Sequence, residues 1–240
     1  MRDEKYQFES FLPYKSIAHG ISSKVAGSMK SPDTLEIDRE ALSKFAQING
    51  ITDGIVCMKQ IHSGSVAFIE NLDRLVIPAT DGLIANNKRI PLAVLTADCL
   101  PILFYDPTKE AIGIAHAGYR GLLNDIIENT IQSFVSHFKS DPKDIVVGIG
   151  PSIEMMCYEV GVELIEKFEK VFPEFENIYA QKDGKFYLNL RGIAGQGLAK
   201  EGILKEHMEV MDICTKCDQN FYSYRRGDKD MRFVSMISLI

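Results

Sequence analysis

The sequence lacks an apolar segment long enough to cross a membrane. Its most apolar stretch, residues 90–117, is interrupted by charged side chains at four positions: Asp98, Asp106, Lys109 and Glu110. Residues 1–5 are mostly charged and lead into no apolar run, so we expect no secretory signal. We therefore expect a cytoplasmic protein without a membrane partner.

The sequence also lacks an excess of positive charge and a set of paired cysteines. The net charge of −6 argues against an electrostatic grip on nucleic acid, so we expect no nucleic-acid partner. The five cysteines are an odd number, and their spacing matches no disulfide framework. We expect them to be free thiols in a reducing compartment, available for chemistry or for metal binding.

Hydrophobic periodicity predicts an α+β fold with mixed β-sheets, organised as a single domain over residues 1–240. Helix and strand patterns alternate unevenly, and some strand pairs look like hairpins, which argues against a doubly wound parallel sheet. Helices are predicted at residues 35–49, from Gly118 to about 138, at 162–171 and at 190–201. Strands are predicted at residues 55–58, 65–70, 92–97, 102–105, 111–116, 145–149, 210–214 and 233–239.

Three residues at predicted strand ends or tight turns form a candidate metal site: His62, Cys99 and His116. Cys99 follows one buried strand and His116 ends another, and strands that are neighbours in sequence are usually neighbours in space. Two imidazoles and a thiolate suit zinc, with a fourth tetrahedral position left for water or substrate. Copper is the alternative for this ligand set. A multicopper cluster needs more imidazoles than the five histidines of this chain supply.

Arginines near these residues form a candidate anion-binding site. Arg120 lies in a Gly-Tyr-Arg-Gly turn before a predicted helix, and Arg225 and Arg226 follow the aromatic residues of a Tyr-Ser-Tyr segment. A tight turn or a solvated loop explains the same patterns without a ligand. Three roles are open for Asp98, beside Cys99: it orients a ligand, acts as an acid or base, or caps a turn. The pair Cys214 and Cys217 has metal-knuckle spacing, but a second such pair is missing, so a zinc ribbon is not predicted.

At these segments the chain resembles the family of multicopper polyphenol oxidase (laccase) domain proteins, which are also called purine nucleoside phosphorylases and peptidoglycan editing factors. The matching segments run in family order along nearly the whole chain: Gln60-Ile61-His62, residues 95–101, residues 115–121, residues 148–151, residues 158–161, Cys214-Thr215 and residues 221–226. The resemblance implies a four-layer α-β-β-α sandwich and metal ligands at His62, Cys99 and His116. It also implies phosphorolysis of adenosine, inosine and methylthioadenosine, and deamination of adenosine.

Three positions depart from the family pattern. Tyr119 stands where the family usually has tryptophan, and Asn189 where it often has aspartate. Lys24 stands where an arginine is typical, which keeps the charge but loses the guanidinium fork. These departures bear on substrate preference and anion binding rather than on the metal ligands.

We therefore expect a zinc-dependent enzyme that cleaves purine nucleosides with phosphate, with His62, Cys99 and His116 as its catalytic residues. Two other classes stay open. One is a Cys–His or zinc amidase that edits peptidoglycan precursors, with Cys99 as nucleophile. The other is a non-enzymatic module with a structural zinc, which is disfavoured because such sites have four protein ligands.

Overall fold

The computed structural model describes residues 5–31, 34, 36–51 and 54–240, and within them the chain forms five α-helices and fourteen β-strands. The helices are α1 (Arg39–Ile48), α2 (Tyr119–Leu123), α3 (Ile126–Phe138), α4 (Val162–Val171) and α5 (Leu190–Lys200). The strands are β1 (Ile17–Ile21), β2 (Val56–Met58), β3 (Val66–Phe68), β4 (Val76–Ile77), β5 (Gly82–Ala85), β6 (Leu92–Thr96), β7 (Leu100–Asp106), β8 (Ala111–Ala117), β9 (Val146–Ile149), β10 (Glu159–Val160), β11 (Tyr179–Lys182), β12 (Lys185–Leu188), β13 (Met208–Val210) and β14 (Phe233–Leu239).

Two large mixed sheets form the centre of the fold. The five-stranded sheet has the order β1-β14-β6-β2-β4, and the six-stranded sheet has the order β13-β9-β7-β8-β5-β3. Each sheet contains both parallel and antiparallel pairs. A small antiparallel sheet, β10-β12-β11, lies outside them. The prediction of an α+β fold with mixed sheets is confirmed.

Most strands of the two large sheets are buried on both faces, whereas the edge strands β3, β4 and β13 are partly exposed. This burial indicates four layers. In β6, Leu92 and Val94 pack between the two sheets, whereas Ala93 and Leu95 pack with the apolar face of α1. This alternation follows the two-residue period of a strand. The opposite face of the six-stranded sheet packs against α3, α4 and α5. The layer order is therefore α1, five-stranded sheet, six-stranded sheet, remaining helices.

Two predicted helices differ from the observed ones. The first helix begins at Arg39 rather than at 35, because the side chain of Asp38 caps it by accepting the amide of Ala41 at 3.0 Å. Leu35 lies outside the described residues. The long helix predicted after Gly118 is wrong as one element, because the chain breaks into α2 and α3 at a left-handed Asp125. A tertiary contact accounts for this break: a Cβ on Gly64 would lie 1.7 Å from the carbonyl oxygen of Asn124.

The strand predicted at 210–214 is also wrong, because β13 ends at Val210. Beyond it, the carbonyl of Ile213 accepts hydrogen bonds from the guanidinium of Arg191 and from the amide of Ser152. Past Val210, sheet pairing is reduced to an isolated parallel bridge between Ser152 and Cys214. In the part of the chain that the structure describes, no helix is both long and apolar enough to span a membrane.

Candidate metal and active site

The strand register brings Cys99 and His116 to one end of the six-stranded sheet. In the antiparallel pair β7–β8, Pro101 lies opposite His116 and Leu100 lies opposite Ala117. Cys99 directly precedes β7, and β6 before it belongs to the other sheet. Cys99 therefore occupies the point where the chain crosses between the two sheets.

His62 lies in the turn between β2 and β3, and a buried carboxylate holds that turn. Its backbone is left-handed, with φ of 62°. The carboxylate of Asp81 accepts the amide hydrogens of Ile61, His62 and Ser63 at 3.2, 3.0 and 2.7 Å, and the Ser63 hydroxyl at 2.8 Å. An unusual backbone conformation of this kind persists where surrounding contacts determine it, and Asp81 supplies them here.

The same carboxylate orients His116. Oδ1 of Asp81 lies 2.8 Å from Nδ1 of His116, and the Asp81 carbonyl accepts the His116 amide at 2.7 Å. Burial alone would raise the pKa of Asp81, but hydrogen bonds from His116 and Ser63 outweigh burial and hold it well below its usual range. A carboxylate at Nδ1 fixes the tautomer and leaves Nε2 of His116 for a ligand.

Sequence reasoning missed Asp81. The available signal was an aspartate directly before a fully buried strand, since β5 follows at Gly82–Ala85. Because β5 was itself not predicted, its pairing with β8, which sets Asp81 beside His116, could not be inferred.

The three side chains converge closely enough to bind one ion. The nearest ligand atoms of His62, Cys99 and His116 all lie within 4.8 Å of one another. The two imidazole rings are 4.7 Å apart between centroids and meet edge to face at 71°. A Cβ on Gly118 would lie 2.8 Å from the Cys99 sulfur and 3.1 Å from Cδ2 of His62. The missing side chain at Gly118 thus makes room for the cluster.

Cys99 and His116 form a coupled acid–base pair. Burial raises the pKa of the Cys99 thiol, but the charge of His116 and hydrogen bonds from His116 and His62 outweigh burial and lower it to about 6. Burial lowers the pKa of His116, but Cys99 and Asp81 outweigh it and raise the value to about 9. The lowered pKa favours the thiolate form of Cys99, which is the form that binds metals and attacks electrophiles.

The residues present fit a tetrahedral metal ion. Typical zinc–nitrogen and zinc–sulfur distances require ligand atoms about 3.5 Å apart, so a cluster already within 4.8 Å needs only a small contraction. The thiolate, the oriented imidazole of His116 and the space beside Gly118 all suit this role. The site can hold a metal, and its three protein ligands leave a fourth position for another group.

Asp98 links Cys99 to distant loops. Its backbone φ is 97°, and its carboxylate accepts the Thr215 hydroxyl and the Arg225 amide, each at 2.7 Å. Its carbonyl accepts the amide of Ile153 at 2.9 Å. Of the three predicted alternatives, these contacts favour a positioning role, in which Asp98 joins three segments beside Cys99.

The two neighbouring arginines have different surroundings. Arg225 is exposed, donates from Nη1 to the Glu159 carbonyl at 2.8 Å and stacks 4.9 Å from the ring centroid of Tyr158. Arg226 donates to the carbonyls of Thr215, Lys216, Asp218 and Phe221 and to the Asp228 carboxylate. The contacts of Arg226 brace its own loop, whereas the outer face of Arg225 is accessible to solvent.

Other residues singled out in the sequence have clear local roles. Arg120 is exposed on α2 and lies over the ring of its neighbour Tyr119, 5.0 Å from the centroid. Lys24 forms an ion pair with Asp228 at 3.2 Å, which supports the arginine loop. Asn189 caps α5 by accepting the Gly192 amide at 3.0 Å.

Arg232 was not predicted but lies in the same electrostatic environment. Burial lowers its pKa, while the charges of Cys99 and Asp98 act in the opposite direction. Its Nη1 donates to the carbonyls of Lys229 and Met231 at 2.8 and 2.6 Å. A half-buried guanidinium thus adds positive potential near the cluster.

Comparison with known proteins shows the family of this chain. Residues 15–240 match the sequence model of the family described as multi-copper polyphenol oxidoreductase laccase. The chain belongs to this family. Over 232 residues it is 32% identical to purine nucleoside phosphorylase YfiH of Escherichia coli K12, covering 96% of this chain and 89% of that protein. Over 192 residues it is 32% identical to purine nucleoside phosphorylase YlmD of Bacillus subtilis 168, covering 75% and 69%.

A solved structure supports the fold assignment. The hypothetical protein YfiH of Bacillus licheniformis superposes with a TM-score of 0.88 at 28% identity, covering 99% of this chain and 97% of that one. The predicted family resemblance is thereby confirmed.

The family's description names copper, but the histidines of this chain are dispersed. All five are in the described part of the chain, and only His62 and His116 converge with Cys99. Nε2 of buried His19 accepts the amide of Phe8 at 2.9 Å, and burial lowers the pKa of His19 to about 4. His19 is thus a neutral structural acceptor.

Proposed function

We propose that this chain is a zinc-dependent purine nucleoside phosphorylase acting on adenosine, inosine and methylthioadenosine, with adenosine deamination as a second reaction. The observation that carries the proposal is the cluster of His62, Cys99 and His116, oriented by Asp81 and one ligand short of a closed tetrahedral site. The names of the relatives from Escherichia coli and Bacillus subtilis support the substrate class.

The chain's own residues prepare the site for an ion and for an anionic co-substrate. Asp81 accepts the proton on Nδ1 of His116, so Nε2 is the ring nitrogen left for Cys99, and the charge of His116 favours the thiolate form of Cys99. The chemistry that zinc supplies when bound here is Lewis-acid polarisation of an oxygen ligand. Zinc is preferred to copper because a thiolate with two imidazoles suits it and because imidazoles for further copper ions are missing from the cluster.

Phosphate recognition is assigned to the cationic residues around Tyr158. Phosphorolysis breaks the bond between ribose C1′ and the base nitrogen, forms a bond from C1′ to a phosphate oxygen, and leaves the base to take up a proton. Arg225 lies over the Tyr158 ring and donates to the Glu159 carbonyl, and these contacts limit the rotamer freedom that it loses on binding phosphate. Arg120 and Arg232 add positive charge, whereas Arg226 is assigned to bracing the loop.

The test is an assay of zinc-loaded protein with adenosine or inosine, with and without phosphate. We expect free base and ribose 1-phosphate, with product formation dependent on phosphate. Arg225→Gln should raise the KM for phosphate by about 10- to 100-fold, the value of one charge-assisted hydrogen bond. Arg74→Gln is the matched control, since Arg74 is also exposed but follows β3 on the chain. Release of no base from any purine nucleoside would contradict the phosphorylase assignment.

A second candidate function is favoured by one specific arrangement. Cys99, His116 and Asp81 stand in the order thiol, imidazole, carboxylate, with hydrogen bonds along the chain of groups. This order is that of a cysteine hydrolase or amidase, in which His116 would take the proton of Cys99 and Asp81 would orient His116. Editing of peptidoglycan precursors would belong to this class.

Chelation separates the two candidates. The phosphorylase should lose activity when zinc is removed and regain it when zinc is restored. The amidase should remain active without metal and release an amino acid from a muramyl peptide precursor. In that case mass spectrometry should also detect a substrate-derived acyl group on Cys99.

A further inference from the structure

A second group of three thiols lies outside the site described above. Cys157 ends a single 3₁₀ turn, Met155–Cys157, which precedes β10. Cys214 and Cys217 lie in the turn after β13, and an isolated bridge between Ser152 and Cys214 holds the two segments together. The three sulfur atoms all lie within 4.8 Å of one another. The fold thus adds a third thiol to a Cys-x-x-Cys pair that the sequence left incomplete.

The backbone around Cys214 is arranged as in a metal knuckle. Its sulfur accepts the amide hydrogen of Glu154 at 3.5 Å, and the Cys217 amide donates to the Cys214 carbonyl and closes the turn. An N–H dipole directed at a sulfur stabilises negative charge there. The turn therefore presents Cys214 and Cys217 together towards Cys157.

The sulfur separations fit a metal ion better than a covalent bond. Cys157 and Cys217 are 3.2 Å apart at sulfur, well beyond the disulfide length of about 2.0 Å. Thiolates around a tetrahedral zinc ion lie about 3.8 Å apart, so this pair needs to open by only about 0.6 Å. Cys157 and Cys214 are half-buried and Cys217 is exposed, which leaves a path for an ion and a solvent-facing fourth position.

We propose that Cys157, Cys214 and Cys217 form a second metal site, which binds a thiophilic divalent cation such as zinc through three thiolates. Soft sulfur ligands select zinc over magnesium or calcium, and deprotonation of three clustered thiols needs the compensating charge of a cation. The inference is independent of the reaction proposed above.

The second site would act as a brace for the wall of the first. Cys157 directly precedes Tyr158, on which Arg225 stacks. Thr215, between Cys214 and Cys217, donates its hydroxyl to Asp98, the neighbour of Cys99. An ion that joins the two segments would therefore fix the positions of both the aromatic wall and the Cys99 turn.

The test is a cobalt titration of the full-length, reduced and chelator-treated protein without oxygen. Thiolate-to-cobalt charge transfer in the near ultraviolet scales with the number of coordinated thiolates. We expect two cobalt ions per wild-type chain. In Cys99→Ser, one should remain, with about three times the near-ultraviolet intensity expected for a one-thiolate site. In the double variant Cys157→Ser, Cys217→Ser, the remaining cobalt should give only the one-thiolate band.

The variants also separate this proposal from the function proposed above. If the wild-type protein binds no cobalt through Cys99 but still binds one ion through the other three thiols, the phosphorylase proposal is contradicted and the second site is supported. A Cys99→Ser protein that binds no cobalt through thiolates would overturn the second site. So would mass spectrometry that finds Cys157 and Cys217 joined by a disulfide in protein purified without oxidant. Should the double variant fail to fold, the wild type alone tests the second site. With both sites filled, its near-ultraviolet intensity should equal that of four coordinated thiolates, whereas the first site alone gives that of one. Cys57→Ala is the matched control, since Cys57 lies in the core beneath α1.

Discussion

Replacing Asp81 with asparagine tests the carboxylate that organises the candidate site. Oδ1 of Asp81 accepts from the His62 amide and from Nδ1 of His116, and Oδ2 accepts from two amides and a hydroxyl of the preceding turn. An asparagine side chain has one acceptor oxygen, and its NH2 group replaces the other carboxylate oxygen. That NH2 group must therefore face either two or three of these donors. Each buried donor left without a partner costs about 1–3 kcal/mol.

The smaller loss, two donors, gives an expected destabilisation of about 2–6 kcal/mol for Asp81→Asn. The donors lost in that orientation belong to His62 and His116, the two imidazole ligands of the cluster. Zinc affinity should therefore also fall, by about 10- to 100-fold, as is typical when a carboxylate behind a metal-binding histidine is removed.

Urea unfolding at pH 7 and competition with a chelator measure the two effects. Asp106→Asn is the matched control, because Asp106 is equally buried but accepts both of its amide hydrogen bonds on Oδ1, at 2.8 and 3.0 Å. Its asparagine can keep both bonds. If Asp81→Asn unfolds at the same urea concentration as Asp106→Asn and binds zinc as tightly as the wild type, the assigned role of Asp81 is wrong.

Three further substitutions follow from the contacts described. Gly118→Ala puts a methyl group 2.8 Å from the Cys99 sulfur and should weaken zinc binding in the chelator assay. Gly195→Ala is its control, because a Cβ there would meet no neighbouring side chain within 4 Å. It should leave zinc binding unchanged and stabilise its helix by about 0.5–1 kcal/mol. The pKa of His19 is about 4 in the folded state against its ordinary 6.5. The neutral ring therefore stabilises the fold fully above pH 6.5, and about 3 kcal/mol of the free energy of unfolding is lost as the pH falls towards 4. Urea unfolding of His19→Gln should lack this component of the pH dependence, and an unchanged dependence would contradict the assignment. Arg226→Gln removes a guanidinium that donates to four carbonyls and should lower thermal stability by several degrees, since each lost bond contributes about 1 kcal/mol; an unchanged melting temperature would argue against the bracing role.

Features set by short-range pattern could be predicted from the sequence. The boundaries of α4 and β14 match the predicted ones, because each has a clear periodicity or a continuous apolar run. The meeting of Cys99 and His116 follows from two long neighbouring strands that pair as a hairpin.

Features that depend on contacts between distant segments could not be predicted. The break between α2 and α3 results from the approach of Gly64, about sixty residues earlier in the chain. Asp81 gains its role only because β5 pairs with β8. The donors of Arg226 are directed to backbone carbonyls, which every residue carries and which no sequence pattern reveals. The third thiol of the second cluster, Cys157, is sixty positions from Cys217.

The position of Cys99 at the crossing between the sheets has a consequence for how the protein responds to binding. His62 follows a strand of the five-stranded sheet, His116 ends a strand of the six-stranded sheet, and Cys99 joins the two. Any ligand held by all three side chains is therefore a crosslink between the sheets, and its binding free energy adds to the cooperativity of the whole sandwich. Amide hydrogens in β6 and β8 should then exchange with solvent as one unit when the site is filled, rather than as two sheets that open separately.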